Sequence, residues 1–141
     1  MEHTLLTLLN LCTPLQYVRI ESQGTPSAEG ETLLCYEINP VQGGSIEPDR
    51  DRFLGKLLFA GEKTAETPGG GAEKEIVSLP KGDYLFMQCR SGAVLTPDEW
   101  LDLAIEQQKD GLWERNKPGN LLYIRFLFED GAFVTQVFRA V

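Results

Sequence analysis

The chain has 141 residues, 42% of them hydrophobic, which suits one domain with a core of its own. Twenty-one acidic residues against 13 basic ones give a formal net charge of -8. Phosphate binding needs a basic face, so no direct nucleic-acid partner is expected, and a neutral or cationic ligand fits better.

The apolar run Leu5-Leu6-Thr7-Leu8-Leu9-Asn10-Leu11-Cys12 opens the chain. Glu2 and His3 stand where a signal peptide carries basic residues, and Leu11 is too large for a processing site before Cys12. The run is too short to span a bilayer. Residues 1–12 therefore read as a short peripheral helix or strand packed on the domain, with no membrane partner expected. Cys12, Cys35 and Cys89 are odd in number and widely spaced. That predicts reduced thiols in a cytoplasmic protein rather than a disulfide frame or a zinc site. His3 is the single histidine. It leaves no His-rich metal site and little scope for a Ser-His or Cys-His pair, and no cofactor is expected.

Leu15 to Glu21 alternates Tyr17 and Arg19 against Val18 and Ile20, the period of a strand. Gln23 to Gly30 is a loop by composition. Glu31 to Ile38 is a second strand, with Glu37 beside Tyr36. Asn39 to Ser45 is a second loop. In Asp49 to Phe59 the residues Phe53, Leu54, Leu57 and Leu58 have helical spacing, opposed by Gly55. A short helix after Pro48, fading near Gly61, is expected. Ala65 to Ala72 carries Gly69-Gly70-Gly71, a connection and not a phosphate loop, because no Gly-Lys-Ser/Thr follows.

Glu75 to Leu79 leads through Pro80-Lys81-Gly82 into Tyr84 to Arg90, a predicted hairpin. Thr96 and Glu99 form a capping box, Pro97 sits at the first helical position, and Leu95 and Trp100 hold the staple positions. A helix from Pro97 to about Trp113 follows, with Trp100, Leu101, Ala104, Ile105 and Leu112 as its apolar stripe. Asn120 to Phe128 and Phe133 to Ala140 form a last hairpin around Glu129-Asp130-Gly131. Its first strand turns Leu122, Ile124, Phe126 and Phe128 towards the helices, and Leu121, Tyr123, Arg125 and Leu127 the other way. Tyr17-Val18-Arg19-Ile20 echoes Tyr123-Ile124-Arg125-Phe126, as two related halves would. The class expected is α+β.

Leu79-Pro80-x-Gly82-x-Tyr84, a strand ending near Gly92, the acidic helix with Trp100 and the closing hairpin resemble the second half of GyrI-like effector-binding domains, over roughly Glu75 to Val141. That family includes the gyrase inhibitor and ligand-sensing domains of drug-responsive activators, and it is similar to the SOUL haem-binding proteins. The resemblance implies two strand–helix–strand–strand modules, an antiparallel sheet with two helices on one face, and a ligand cleft between the halves. It implies a stand-alone small-molecule binding protein linked to transcriptional regulation or metabolite sensing. The glutamate that the family commonly places before its penultimate-strand tyrosine is replaced here by Leu121 and Leu122 ahead of Tyr123. Haem binding finds only His3.

No catalytic motif stands in the chain, so a binding protein is expected more than an enzyme. A small hydrophobic or amphipathic ligand would meet walls from Tyr17, Tyr84, Trp113 and Tyr123, with Arg125, Glu37 and Glu114 as polar contacts. Two alternatives stand beside this: an acidic protein that inhibits a protein partner, as the gyrase inhibitor does, and a hydrolase using Glu37 or Glu114 as base.

Overall fold

β-branched and aromatic residues recur at alternating positions, and most of the described residues are strand. The computed structural model describes residues 2–4, 6–20, 30–39, 50–64, 75–113 and 119–141. The expected loops lie almost entirely outside the described residues, as do Asp49 and Glu114. Among the described residues are nine strands and two helical segments. These are β1 (Glu2–His3), β2 (Thr7–Leu11), β3 (Leu15–Ile20), β4 (Gly30–Ile38), α1 (Arg50–Phe53), β5 (Leu54–Thr64), β6 (Ile76–Leu79), β7 (Gly82–Ser91), α2 (Pro97–Trp113), β8 (Leu121–Glu129) and β9 (Ala132–Ala140).

All the pairings are antiparallel, in the order β1-β7-β9-β8-β4-β5-β3-β6, with β2 also on β7. β2 runs on into β3, and β6 into β7. β2 pairs with β7, from Thr7↔Phe86 to Leu11↔Gly82. β3 pairs with β6, from Leu15↔Leu79 to Val18↔Ile76. β3 also pairs with β5, at the far end of the ladder from β7. The sheet therefore closes on itself into a barrel of six chain segments, counting β1–β3 and β6–β7 once each.

This overturns the α+β expectation of two helices on one face of a sheet. Among the described residues only α2 is a full helix, and where a helix over Asp49 to Phe59 was expected there is one turn, α1, followed by the strand β5. The apparent helical spacing has a physical origin. β4 and β5 change register between Cys35 and Tyr36 and again between Tyr36 and Ile38, so Leu57 opposes Tyr36 while Leu54 opposes Ile38. Bulges of this kind break the two-residue period of a strand. Gly55 sits where a Cβ would come within 2.8 Å of the Glu37 carbonyl oxygen, so glycine serves close backbone approach.

The expected hairpin at Pro80-Lys81-Gly82 is a bend instead. β6 pairs with β3, while β7 pairs with β1, β2 and β9. Gly82 takes a φ of 149°, open to glycine alone, and redirects the chain without reversing it. The closing hairpin is as expected: Asp130 (φ 51°) and Gly131 (φ 77°) form the two-residue turn whose twist matches its strands. The capping box is also present. The Thr96 amide donates to Glu99 Oε1 at 3.0 Å and the Glu99 amide to Thr96 Oγ1 at 3.3 Å.

Alternation along the strands divides the core in two. Outside the barrel, α2 packs on β7 and β9, and Trp100, Leu103 and Ala104 meet Leu34, Met87, Cys89, Leu122, Ile124 and Val137. Leu122, Ile124 and Phe126 face this layer as expected, but Phe128 is exposed. Inside lie Tyr17, Leu33, Cys35, Val77, Leu79, Tyr84, Tyr123 and Phe138, from almost every wall of the barrel. Cys12, Cys35 and Cys89 are all unpaired thiols. No helix among the described residues is long and apolar enough to cross a membrane.

Candidate functional site

The interior of a small barrel holds little beyond its own side chains. Tyr84 meets Tyr123 edge-on at 6.0 Å between ring centroids and Phe138 at 5.8 Å; Phe86 lies 5.1 Å from Phe138, and Phe59 6.4 Å from Tyr123. These rings pack on one another across the strands, so Tyr84 and Tyr123, two of the residues expected as ligand walls, lie in a core layer. The Tyr84 hydroxyl donates to the Pro80 carbonyl at 2.5 Å. Burial pushes the Cys35 thiol up to about 11, against a hydrogen bond with Tyr123 that favours the thiolate.

Next to the aromatic layer lies a polar one. Arg125 and Gln136 are paired positions on β8 and β9, and Gln136 and Gln88 on β9 and β7. Inward alternation points all three side chains into the barrel. The Arg125 Nη1 donates to Gln136 Oε1 at 3.0 Å, and Gln136 Nε2 to Gln88 Oε1 at 2.8 Å. On its other side Arg125 holds Glu31 of β4 with Nε at 3.1 Å and Nη2 at 2.8 and 2.9 Å, the fork geometry of an arginine–carboxylate pair. The Tyr17 hydroxyl donates to Glu31 Oε2 at 3.0 Å. Arg125 and Glu31 keep 18% and 26% of their side-chain surface, so water reaches the pair. Burial, opposed by Arg125 and reinforced by Glu31, raises the Tyr17 hydroxyl well above its ordinary value and keeps it a proton donor at neutral pH.

Tyr17 belongs to a second feature. The β3–β5 ladder stops at Val18↔Glu62, although β3 extends back to Leu15 and β5 forward to Thr64. Where the strands part, a cleft of about 320 Å³ opens between Leu15, Tyr17, Val18 and Ile76 on one side and Glu62 and Lys63 on the other. Pro14 and Gln16 complete its wall. The large apolar Ile76 is 49% exposed there. Tyr17 thus links the cleft to Glu31 and Arg125.

The structure brings together four of the residues singled out from sequence: Tyr17, Tyr84 and Tyr123 inside the barrel, and Arg125 in the layer above. Glu37 is exposed, six residues along β4 from Glu31 and opposite Leu121. Trp113 ends α2, its side chain outside the described residues, as Glu114 is altogether. Glu31 was missed. Its signal was alternation, because Leu33 and Cys35 put it on the inward face of β4, where a charge needs a partner. Gln107 and Gln108 were also missed, though they continue the stripe of Trp100, Leu103 and Ala104. Gln107 Nε2 donates to the carbonyls of Leu85 and Val137 at 3.0 and 2.9 Å, and Gln108 Oε1 accepts from Arg139 Nη1 at 2.9 Å. Burial lowers the Arg139 guanidinium to about 10, while its Nε donates to the Gly119 carbonyl at 2.6 Å. The repeated Tyr-x-Arg motif differs in use: Arg19 is exposed and pairs with Glu75 at 2.8 Å, whereas Arg125 lies within the barrel. Among the described residues no three His, Cys, Asp or Glu side chains are grouped so as to hold a metal ion.

No protein-family model, no curated protein and no solved structure matches this chain.

Proposed function

We propose that the protein binds a small amphipathic molecule in the cleft where β5 leaves β3. The observation that carries this reading is the parting of two strands over a buried tyrosine, which leaves about 320 Å³ of space, within the range of ligand sites. Pro14, Leu15, Val18 and Ile76 supply apolar walls, and Glu62 and Lys63 a charged rim. The net charge of -8 favours a neutral or cationic ligand. This reading keeps the ligand class that the resemblance to GyrI-like domains implies and moves the site from a cleft between halves to the barrel wall. A cytoplasmic location suits the three unpaired thiols. Any role in transcription would pass through another chain, since the acidic balance gives no basic face for DNA.

A thermal-shift screen with cationic dyes and aromatic metabolites tests the reading, because a ligand that binds only the native state raises its melting point. Hits should raise the melting point of the wild-type chain and not that of Ile76→Trp, whose ring occupies the cleft. Equal shifts in both would remove the cleft as the site.

A further inference from the structure

Sheet chemistry narrows what the cleft holds. The Arg19 amide donates to the Glu75 carbonyl at 2.9 Å, so the backbone groups of Arg19, and by alternation those of Tyr17 and Leu15, face β6. The groups of Val18 and Gln16 face the other way, towards β5. Val18 meets Glu62 there. The next rung would join Gln16 to Thr64, and it is missing from the ladder although both residues lie in strands. The Gln16 N–H and C=O therefore point into the cleft with no rung to join, and by the same alternation the backbone groups of Thr64, next after Lys63 on β5, face back towards β3. Backbone groups in this position are a template for another extended chain.

We propose, resting on the cleft reading above, that the occupant is an extended peptide segment of apolar and basic residues, laid between β3 and β5 as a short extra strand. The cleft runs from Pro14 to Val18, four residue steps or about 13 Å of extended chain, the length of a tetrapeptide. Side chains on one face of such a strand would lie on Val18 and Ile76, and a lysine or arginine beside it would meet Glu62. The net charge of -8 adds to that preference.

The test is a titration of the wild-type chain, Gln16→Ala and Gln16→Pro with an equimolar mixture of capped tetrapeptides of leucine, valine, lysine and arginine, alongside the dyes that score in the thermal screen. Proline at 16 deletes only the cleft-facing donor and spares the β6 ladder, so the strand tolerates it. Gln16→Ala should bind as wild type does. Gln16→Pro should bind peptide about tenfold more weakly, the effect of one lost hydrogen bond, while its dye binding stays unchanged. Independently of any variant, peptide should slow hydrogen exchange at the Gln16 amide of the wild-type chain. Dye binding without peptide binding, or peptide binding with Gln16 exchange unchanged, would overturn the peptide assignment and leave the cleft standing. Binding of neither would overturn both.

Discussion

The hydroxyl of Tyr17 on β3 reaches Oε2 of Glu31 on β4 at 3.0 Å, over the strand β5 that lies between them. Gly61 lets it pass. A Cβ at position 61 would lie 2.8 Å from the Tyr17 Cβ and 2.7 Å from Val77 Cγ2, both well inside contact distance, and the Tyr17 Cβ is bonded directly to its backbone and has little room to yield. Gly61→Ala should therefore cost about 1–3 kcal/mol of stability, as overpacking of a filled core does. It should also break the Tyr17–Glu31 contact. Urea denaturation measures the first effect, and the ultraviolet absorbance of the tyrosines in alkaline titration measures the second.

The Glu31–Arg125 pair is part-buried, with 26% and 18% of side-chain surface left, which places it between two regimes. Exposed pairs are worth under about 1 kcal/mol, while breaking a fully buried one costs about 3–5 kcal/mol. Arg125→Met should cost about 1–3 kcal/mol, because Glu31 is left without its guanidinium and Gln136 without its donor. The double change Glu31→Leu with Arg125→Met should recover much of that loss. A double-mutant cycle in urea that finds no coupling would show the pair to be idle.

How far the sequence carried the fold depended on whether a signal was local. The start of α2 was legible because Thr96, Glu99, Leu95 and Trp100 act within one turn. The β8–β9 hairpin was legible because Asp130-Gly131 specify their own turn. The bend at Pro80-Lys81-Gly82 read as a reversal because bend and reversal use the same residues. What separates them is β2–β3, a distant stretch that pairs with both β6 and β7 and so keeps them in line. β5 was read as helix because the bulges opposite Tyr36 hid its alternation. Arg125 was legible as a polar group on an inward face, and Glu31 follows once the inward faces of β4 and β8 are placed side by side. The cleft was not legible, since it arises where a ladder stops and not where a residue type changes.

Alkali should unfold the protein earlier than its charge alone would suggest. Burial raises the Cys35 thiol from 9.0 to about 11, and burial also raises the hydroxyls of Tyr17, Tyr84 and Tyr123 above 10.0. The folded chain therefore keeps protons that the unfolded chain has already released. The Cys35 contribution is whole below about pH 9 and is lost as pH rises through about 11, and the three tyrosines add to the loss only above pH 10.0. Arg139, lowered to about 10, works in the opposite sense, but only above that pH. Urea midpoints at pH 7.5 and 8.5 should nearly agree and those at pH 9.5 and 10 should fall below them, and Cys35→Ala should flatten that fall. A stability that is level across the series would contradict the protonation states assigned inside the barrel.

Gln107 fixes α2 to the barrel through two buried carbonyls, although its own Oε1 has no partner among the described residues. Gln107→Leu keeps the volume and removes both bonds, leaving Leu85 and Val137 with carbonyls that lose this donor. The expected cost is about 1–3 kcal/mol, with α2 loosened before the sheet. Hydrogen exchange resolves the order: amides of α2 should open at lower denaturant than those of β8 and β9, whereas a uniform change would show that helix and barrel unfold as one unit.

Amide chemical-shift mapping with a ligand from the thermal screen tests the binding site most directly. The cleft predicts one patch of perturbed resonances: Leu15 to Val18, Glu62, Lys63 and Ile76, extending through Tyr17 to Glu31. Perturbations gathered on α2 or around Glu37, with those residues unmoved, would contradict it.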